Sequence, residues 1–148
     1  DVPGAGSERA GVSPDDAAGR SERPTVGLDT SVLMAPVEAN LRPFEELDRV
    51  LGAVDPVVPS SVLRELDRLE EGSGAAATAA SVGRDLAARA RRLDTGGTYA
   101  DDALVELAAA GDVDYVATAD RELVRRVLDA DTPVLCLRGR ETLTVTDP

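Results

Sequence analysis

Five acidic side chains stand out by their surroundings. Asp29 ends the apolar run Val26–Gly27–Leu28 and is followed by two hydroxyl residues, Thr30 and Ser31. Glu65 interrupts the apolar positions Val62, Leu63, Leu66 and Leu69. Asp101 and Asp102 precede Ala103–Leu104, and Asp120 follows the run Tyr115–Val116–Ala117–Thr118. Carboxylates and hydroxyls are hard oxygen donors of the kind that suit Mg2+ or Mn2+. Crowding several carboxylates together is costly through repulsion and desolvation unless a cation neutralises them. A cluster of these groups would therefore imply a bound divalent ion. Water on such an ion has a lowered pKa and can attack a phosphodiester in line. The hydroxyls of Thr30, Ser31 and Thr118 are placed to orient a ligand carboxylate, that water or a phosphate oxygen.

The rest of the composition removes other chemistries. All sixteen basic residues of the 148 are Arg, with no Lys and no His. Ser–His–Asp and Cys–His catalysis, a Schiff-base Lys, a Walker Lys and His-ligated zinc are excluded. A haloacid-dehalogenase-type phosphatase would need a second Asp where Ser31 stands, and a receiver domain would need a late Lys. The single Cys136 lies in the apolar run Val134–Leu137, reads as a structural thiol and permits no internal disulfide. The net charge of −12, without Lys, suggests a salt-adapted cytoplasm. No apolar run reaches the roughly eighteen residues of a membrane span, and the N-terminus shows no signal-peptide core, so a cytoplasmic location is expected. Phe44, Tyr99 and Tyr115 are the only aromatics. That is too few for the multi-ring stacking surfaces of common RNA-binding modules.

The elements that must position the acids follow in order. Residues 1–23 are small, polar and aperiodic, and read as a disordered tail ahead of a domain over 24–148. Thr25–Asp29 and Asp55–Val58 read as strands, and Ser31–Ala39 and Pro43–Leu51 as helices, the second stopped by Gly52. Pro59–Ser60–Ser61 opens a third helix with a Ser as N-cap. Glu65 sits at the border of its apolar face, fit equally for solvent or for a site. Glu71–Ala77 reads as a loop or frayed helix start. Thr78–Leu93 reads as one long helix with Val82, Leu86, Ala90 and Leu93 buried. Arg84, Arg91 and Arg92 then lie on another side, as a solvated face or a phosphate-contacting ridge. Asp101 and Asp102 open a helix over Ala103–Ala110, where capping alone would explain them. Asp114–Thr118, Thr132–Leu137 and Thr142–Val145 read as strands, and Asp120 would suit the N-cap of Arg121–Leu128. Strand–helix alternation implies crossover connections and a mainly parallel sheet. In such a sheet the strand C-termini and the following helix N-termini share one edge, so Asp29, Asp102 and Asp120 converge there.

These segments bring the chain to a resemblance. Leu28–Asp29–Thr30–Ser31, Val58–Pro59–Ser60–Ser61–Val62–Leu63–Arg64–Glu65–Leu66, Tyr99–Ala100–Asp101–Asp102–Ala103–Leu104 and Val116–Ala117–Thr118–Ala119–Asp120 together resemble the four acidic motifs of the PIN-domain nucleases, over about residues 24–146. The second segment looks closest to an archaeal VapC9-like branch and to PIN nucleases of ribosome maturation. The resemblance implies a three-layer α/β/α, Rossmann-like fold and metal-dependent endoribonuclease activity. Asp29, Glu65, Asp102 and Asp120 match the acidic quartet, with Asp29, Asp102 and Asp120 on Mg2+ or Mn2+ and Glu65 on the attacking water. Thr118 matches the family's hydroxyl, Asp101 is an adjunct, and Ser31 stands where many members have Asn. Arg84, Arg91 and Arg92 would contact RNA. High salt would screen the repulsion between RNA and this acidic chain, since the Debye length is about 3 Å at 1 M. An antitoxin protein is expected if the nuclease is a toxin, and homodimers are common in the family. The rival reading is a PIN-like module that binds RNA or protein without cutting.

Overall fold

In the computed structural model the described residues are 23–96 and 98–148. The tail expected over residues 1–23 lies, apart from Arg23, outside them. In chain order the elements are β1 (Thr25–Leu28), α1 (Thr30–Glu38), α2 (Pro43–Leu51), β2 (Asp55–Pro59), α3 (Ser60–Glu70), α4 (Gly74–Ala87), β3 (Arg91–Leu93), α5 (Ala100–Ala109), β4 (Tyr115–Thr118), α6 (Arg121–Asp129), β5 (Val134–Arg138) and β6 (Thr142–Thr146). The sheet order is β3-β2-β1-β4-β5-β6. All neighbours run parallel except β5 and β6. Helices α1, α3 and α4 pack on one another, and α5 packs on α6. With right-handed crossovers this places the first group on one face of the sheet and the second on the other, an α/β/α sandwich.

The order reverses beside β1, whose neighbours are β2 on one side and β4 on the other. A reversal of this kind leaves a crevice beyond the strand C-termini. β1 is buried throughout, as a central parallel strand must be. Val26, Leu28, Val57, Val116 and Leu135 fill the core from the sheet, and Leu33, Leu66 and Leu104 close it from the helices. At Gly27 a Cβ would come within 3.0 Å of Leu104 Cδ2, so α5 rides directly on the β1 backbone.

The long helix expected over Thr78–Leu93 divides in two. Helix α4 starts at Gly74, within the stretch read as a loop, and ends at Ala87. Residues 91–93 instead form β3, with Val57 opposite Arg91 and Pro59 opposite Leu93. The buried face of α4 is Ala79, Ala80, Gly83 and Ala87, whereas Val82 and Leu86 are only half-buried. The cause is proximity: a Cβ at Gly83 would stand 3.1 Å from the Leu33 carbonyl oxygen of α1 and 3.2 Å from Leu66 Cδ2 of α3. Large side chains have no room at that crossing. Among the described residues no helix is long and apolar enough to cross a membrane.

Candidate functional site

β1 ends against β4, and hydroxyls stitch the two ends together. The Asp29 amide donates to the Ala117 carbonyl at 3.1 Å, carrying the ladder one step past β1. Ser31 Oγ and Thr118 Oγ1 both donate to Asp29 Oδ2, at 2.6 and 2.7 Å. The same two oxygens accept from the amides of Ala119, at 2.9 Å, and Asp120, at 3.0 Å. Each hydroxyl thus passes one backbone proton donor's polarity on to the Asp29 carboxylate. Burial raises the pKa of Asp29, and the hydrogen bonds from Ser31, Thr118 and neighbouring amides only partly oppose this. Thr118 is wholly buried. Replacing it with the isosteric Val strips a donor from Asp29 Oδ2 and an acceptor from the Asp120 amide. The expected loss is about 1–3 kcal/mol of unfolding free energy. Urea denaturation measures it, and an unchanged midpoint would deny the hydroxyl its place in the stitch.

The other acids arrive from separate elements. Glu65 projects from α3, half-buried at the edge of the apolar face, and accepts from Thr30 Oγ1 at 2.7 Å. Asp101 and Asp102 lie in the first turn of α5, which begins at Ala100 rather than after the acidic pair. Asp120 is the N-cap of α6: its Oδ1 accepts from the amides of Glu122 and Leu123 at 2.9 and 3.2 Å. Asp29, Glu65, Asp101, Asp102 and Asp120 all line one cavity of ≈ 760 Å³, together with Thr30 and Ser31.

Sharing a cavity is not the same as sharing an ion. As the side chains lie, no three acidic or thiol groups among the described residues are grouped so as to hold a metal. Each acid is occupied locally. Most telling is Arg126 of α6, absent from the sequence argument, which reaches Asp102 Oδ1 at 2.8 Å and Asp101 Oδ2 at 3.3 Å. Nothing local in the sequence signals that contact, because Asp102 is 24 positions away. Thr95 was likewise missed. Its hydroxyl accepts from the Ser61 amide at 3.3 Å and meets Ser60 Oγ and Ser61 Oγ. It therefore caps α3, where a Ser had been expected and where Pro59 is the N-cap residue.

The donor set still fits a hard divalent cation: oxygen only, with one carboxylate buried among neutral donors. Residues 26–140 match the family model described as a PIN like domain. The chain belongs to that family. The PIN-like chain is also similar to the solved structure of the PIN domain endonuclease Utp24. The two share 26% identity at a TM-score of 0.69, over 84% of this chain and 92% of that one. No curated protein matches it.

The arginines of this PIN-like domain do not form the ridge expected of a single helix. Arg84, on α4, is paired with Asp67 and Glu70, both at 2.8 Å. Arg91 and Arg92 are consecutive in β3 and so face opposite sides of the sheet. They pair with Asp55 and Asp94. None of the three lines the cavity; Arg64 and Arg68 of α3 do.

Proposed function

We propose that this PIN-like chain is a metal-dependent endoribonuclease whose site is the cavity beyond β1 and β4. One observation carries the reading: Asp29, Glu65, Asp102 and Asp120, drawn from four separate segments, line the same cavity. Asp29, Asp102 and Asp120 would hold Mg2+ or Mn2+, directly or through water. A bound ion of this kind lowers the pKa of water and neutralises charge on a phosphate. Asp29 is the fixed member, held by Ser31 and Thr118. Asp120 spends Oδ1 on its helix cap, so Oδ2 faces the role of ligand. Asp102 has to exchange Arg126 for the ion. Glu65, oriented by Thr30, is positioned to take the proton of the attacking water. Arg126, once released, adds positive charge beside the substrate.

Single-stranded RNA should be cut in the presence of Mg2+ or Mn2+ and left intact after EDTA treatment, with activity restored by adding back the ion. Assays belong at high KCl, which screens the chain's net charge of −12 from RNA. Retention of RNA on the protein with no cleavage under any metal would favour a binding module and overturn the nuclease.

A further inference from the structure

The cavity is lined by arginines as well as acids. Arg64 and Arg68, one turn apart on α3, stand on one side of it. Arg64 Nη2 donates to the Gly96 carbonyl, which ties α3 to the segment leading into α5. Arg68 makes no hydrogen bond or ion pair with any described residue, whereas Arg84, Arg91, Arg92 and Arg126 are all paired with acids. Tyr99, the N-cap residue of α5, lines the same cavity. Its backbone is anchored, its carbonyl accepting from the Ala103 amide at 2.9 Å, while its side chain is left in water. At 80% exposure it is the most exposed large hydrophobic among the described residues, and Phe44 and Tyr115 are both half-buried.

We propose that Tyr99 and Arg68 form a base-and-phosphate clamp at the cavity, which confines the site to unpaired RNA. This rests on the nuclease reading and names how the substrate is held. An aromatic ring stacks on the face of any nucleobase, and a free guanidinium takes the adjoining phosphate. A base within a duplex has both faces covered by its neighbours and offers nothing to Tyr99. In a chain so short of aromatics and so rich in acid, one exposed ring and an Arg with no partner among the described residues supply attraction that the acids lining the cavity do not.

The test uses the full chain carrying Glu65→Gln, which removes the proposed proton acceptor and none of the ion's proposed ligands, with Mg2+ present, and a fluorescent single-stranded RNA oligonucleotide followed by anisotropy. Adding Tyr99→Ala should weaken binding about tenfold, while Tyr99→Phe should keep it. Arg68→Gln should weaken binding and lower the salt-dependence slope by about one. The same sequence as a duplex should bind more weakly to the parent, and Tyr99→Ala should erase that difference. Equal binding by Tyr99→Ala and its parent overturns the clamp and leaves the nuclease reading standing. Equal losses in Tyr99→Phe and Tyr99→Ala also overturn it, since the hydroxyl rather than the ring would then be at work. Failure of the parent to bind RNA, together with failure of the unmodified protein to cut it, removes the nuclease reading and the clamp with it.

Discussion

Asp29→Asn should abolish RNA cleavage and make the protein harder to melt. Both effects come from the same burial. Asp29 is only 6% exposed, and its hydrogen-bond partners are two hydroxyls and backbone amides, none of which carries charge. Its carboxylate pKa is raised in the folded state, chiefly by desolvation. The folded protein therefore holds a proton on Asp29 more tightly than the unfolded chain does. Stability from this group falls as pH rises from the ordinary carboxylate range through the folded pKa, and the penalty is complete above it. Asn keeps the shape and an acceptor for Ser31 and Thr118 but carries no charge. The expected gain at neutral pH is about 1–2 kcal/mol, or a few degrees in Tm, and it should shrink in acid. Cleavage should fall by about a thousandfold or more, since the best-fixed ligand for the ion is gone. Mg2+ should raise the Tm of the unmodified protein and leave that of Asp29→Asn where it was. Thermal melts with and without Mg2+, beside a cleavage assay, check all three points; an active variant sinks the mechanism.

The second large effect is expected far from the acids, at Gly83. A Cβ there already presses on the Leu33 carbonyl, a backbone atom inside α1 that cannot swing aside. Gly83→Val adds two more carbons to the crossing of α4 with α1 and α3. Overpacking of this kind should cost about 3 kcal/mol, or roughly 10 °C in Tm for a domain of this size. It should also reach the cavity, because α1 begins at Thr30 and carries Ser31 in its first turn. Cleavage should drop further than unfolding explains. Gly83→Ala is the control. It gains about 1 kcal/mol of helix propensity against tight contacts with the Leu33 carbonyl and Leu66 Cδ2, so its net effect should be small. Equal stability of Gly83→Val and the parent protein would show that the crossing is looser than 3.1 Å implies.

What could be read in advance was whatever the local chain determines. Val26–Gly27–Leu28 followed by Asp29 is a buried strand with a charge at its exit, and both properties belong to consecutive residues. The Asp120 cap follows the same logic: a carboxylate just ahead of an amphipathic helix binds that helix's first amides. Arg91–Arg92–Leu93 failed because its strand character is lent by β2. With two exposed charges and no apolar alternation, it continues the spacing of Leu86 and Ala90 and mimics a helix until the pairing with Val57–Pro59 is known. The small-residue face of α4 was overlooked for a related reason, since Ala and Gly mark a close crossing only once the other helix is in place. Convergence of the acids on one edge follows from topology. The occupation of Glu65 by Thr30, and of Asp101 and Asp102 by Arg126, depends on pairs separated by 24 to 35 positions, which no periodicity encodes.

The two rims of the sheet are each closed in a different way. On β6 the Leu143 amide donates to Glu46 Oε1 at 2.9 Å, and its carbonyl accepts from Arg49 Nη2 at 3.0 Å, so α2 occupies backbone groups that another chain would need. On β3 the margin is three residues long and carries two charged side chains, a short and polar edge for another strand to meet. A strand from a neighbouring molecule would have to displace Glu46 and Arg49 from β6 or pair beside Arg91 and Arg92 on β3. Both borders are thereby protected against the edge-to-edge pairing that extends a sheet from one molecule to the next.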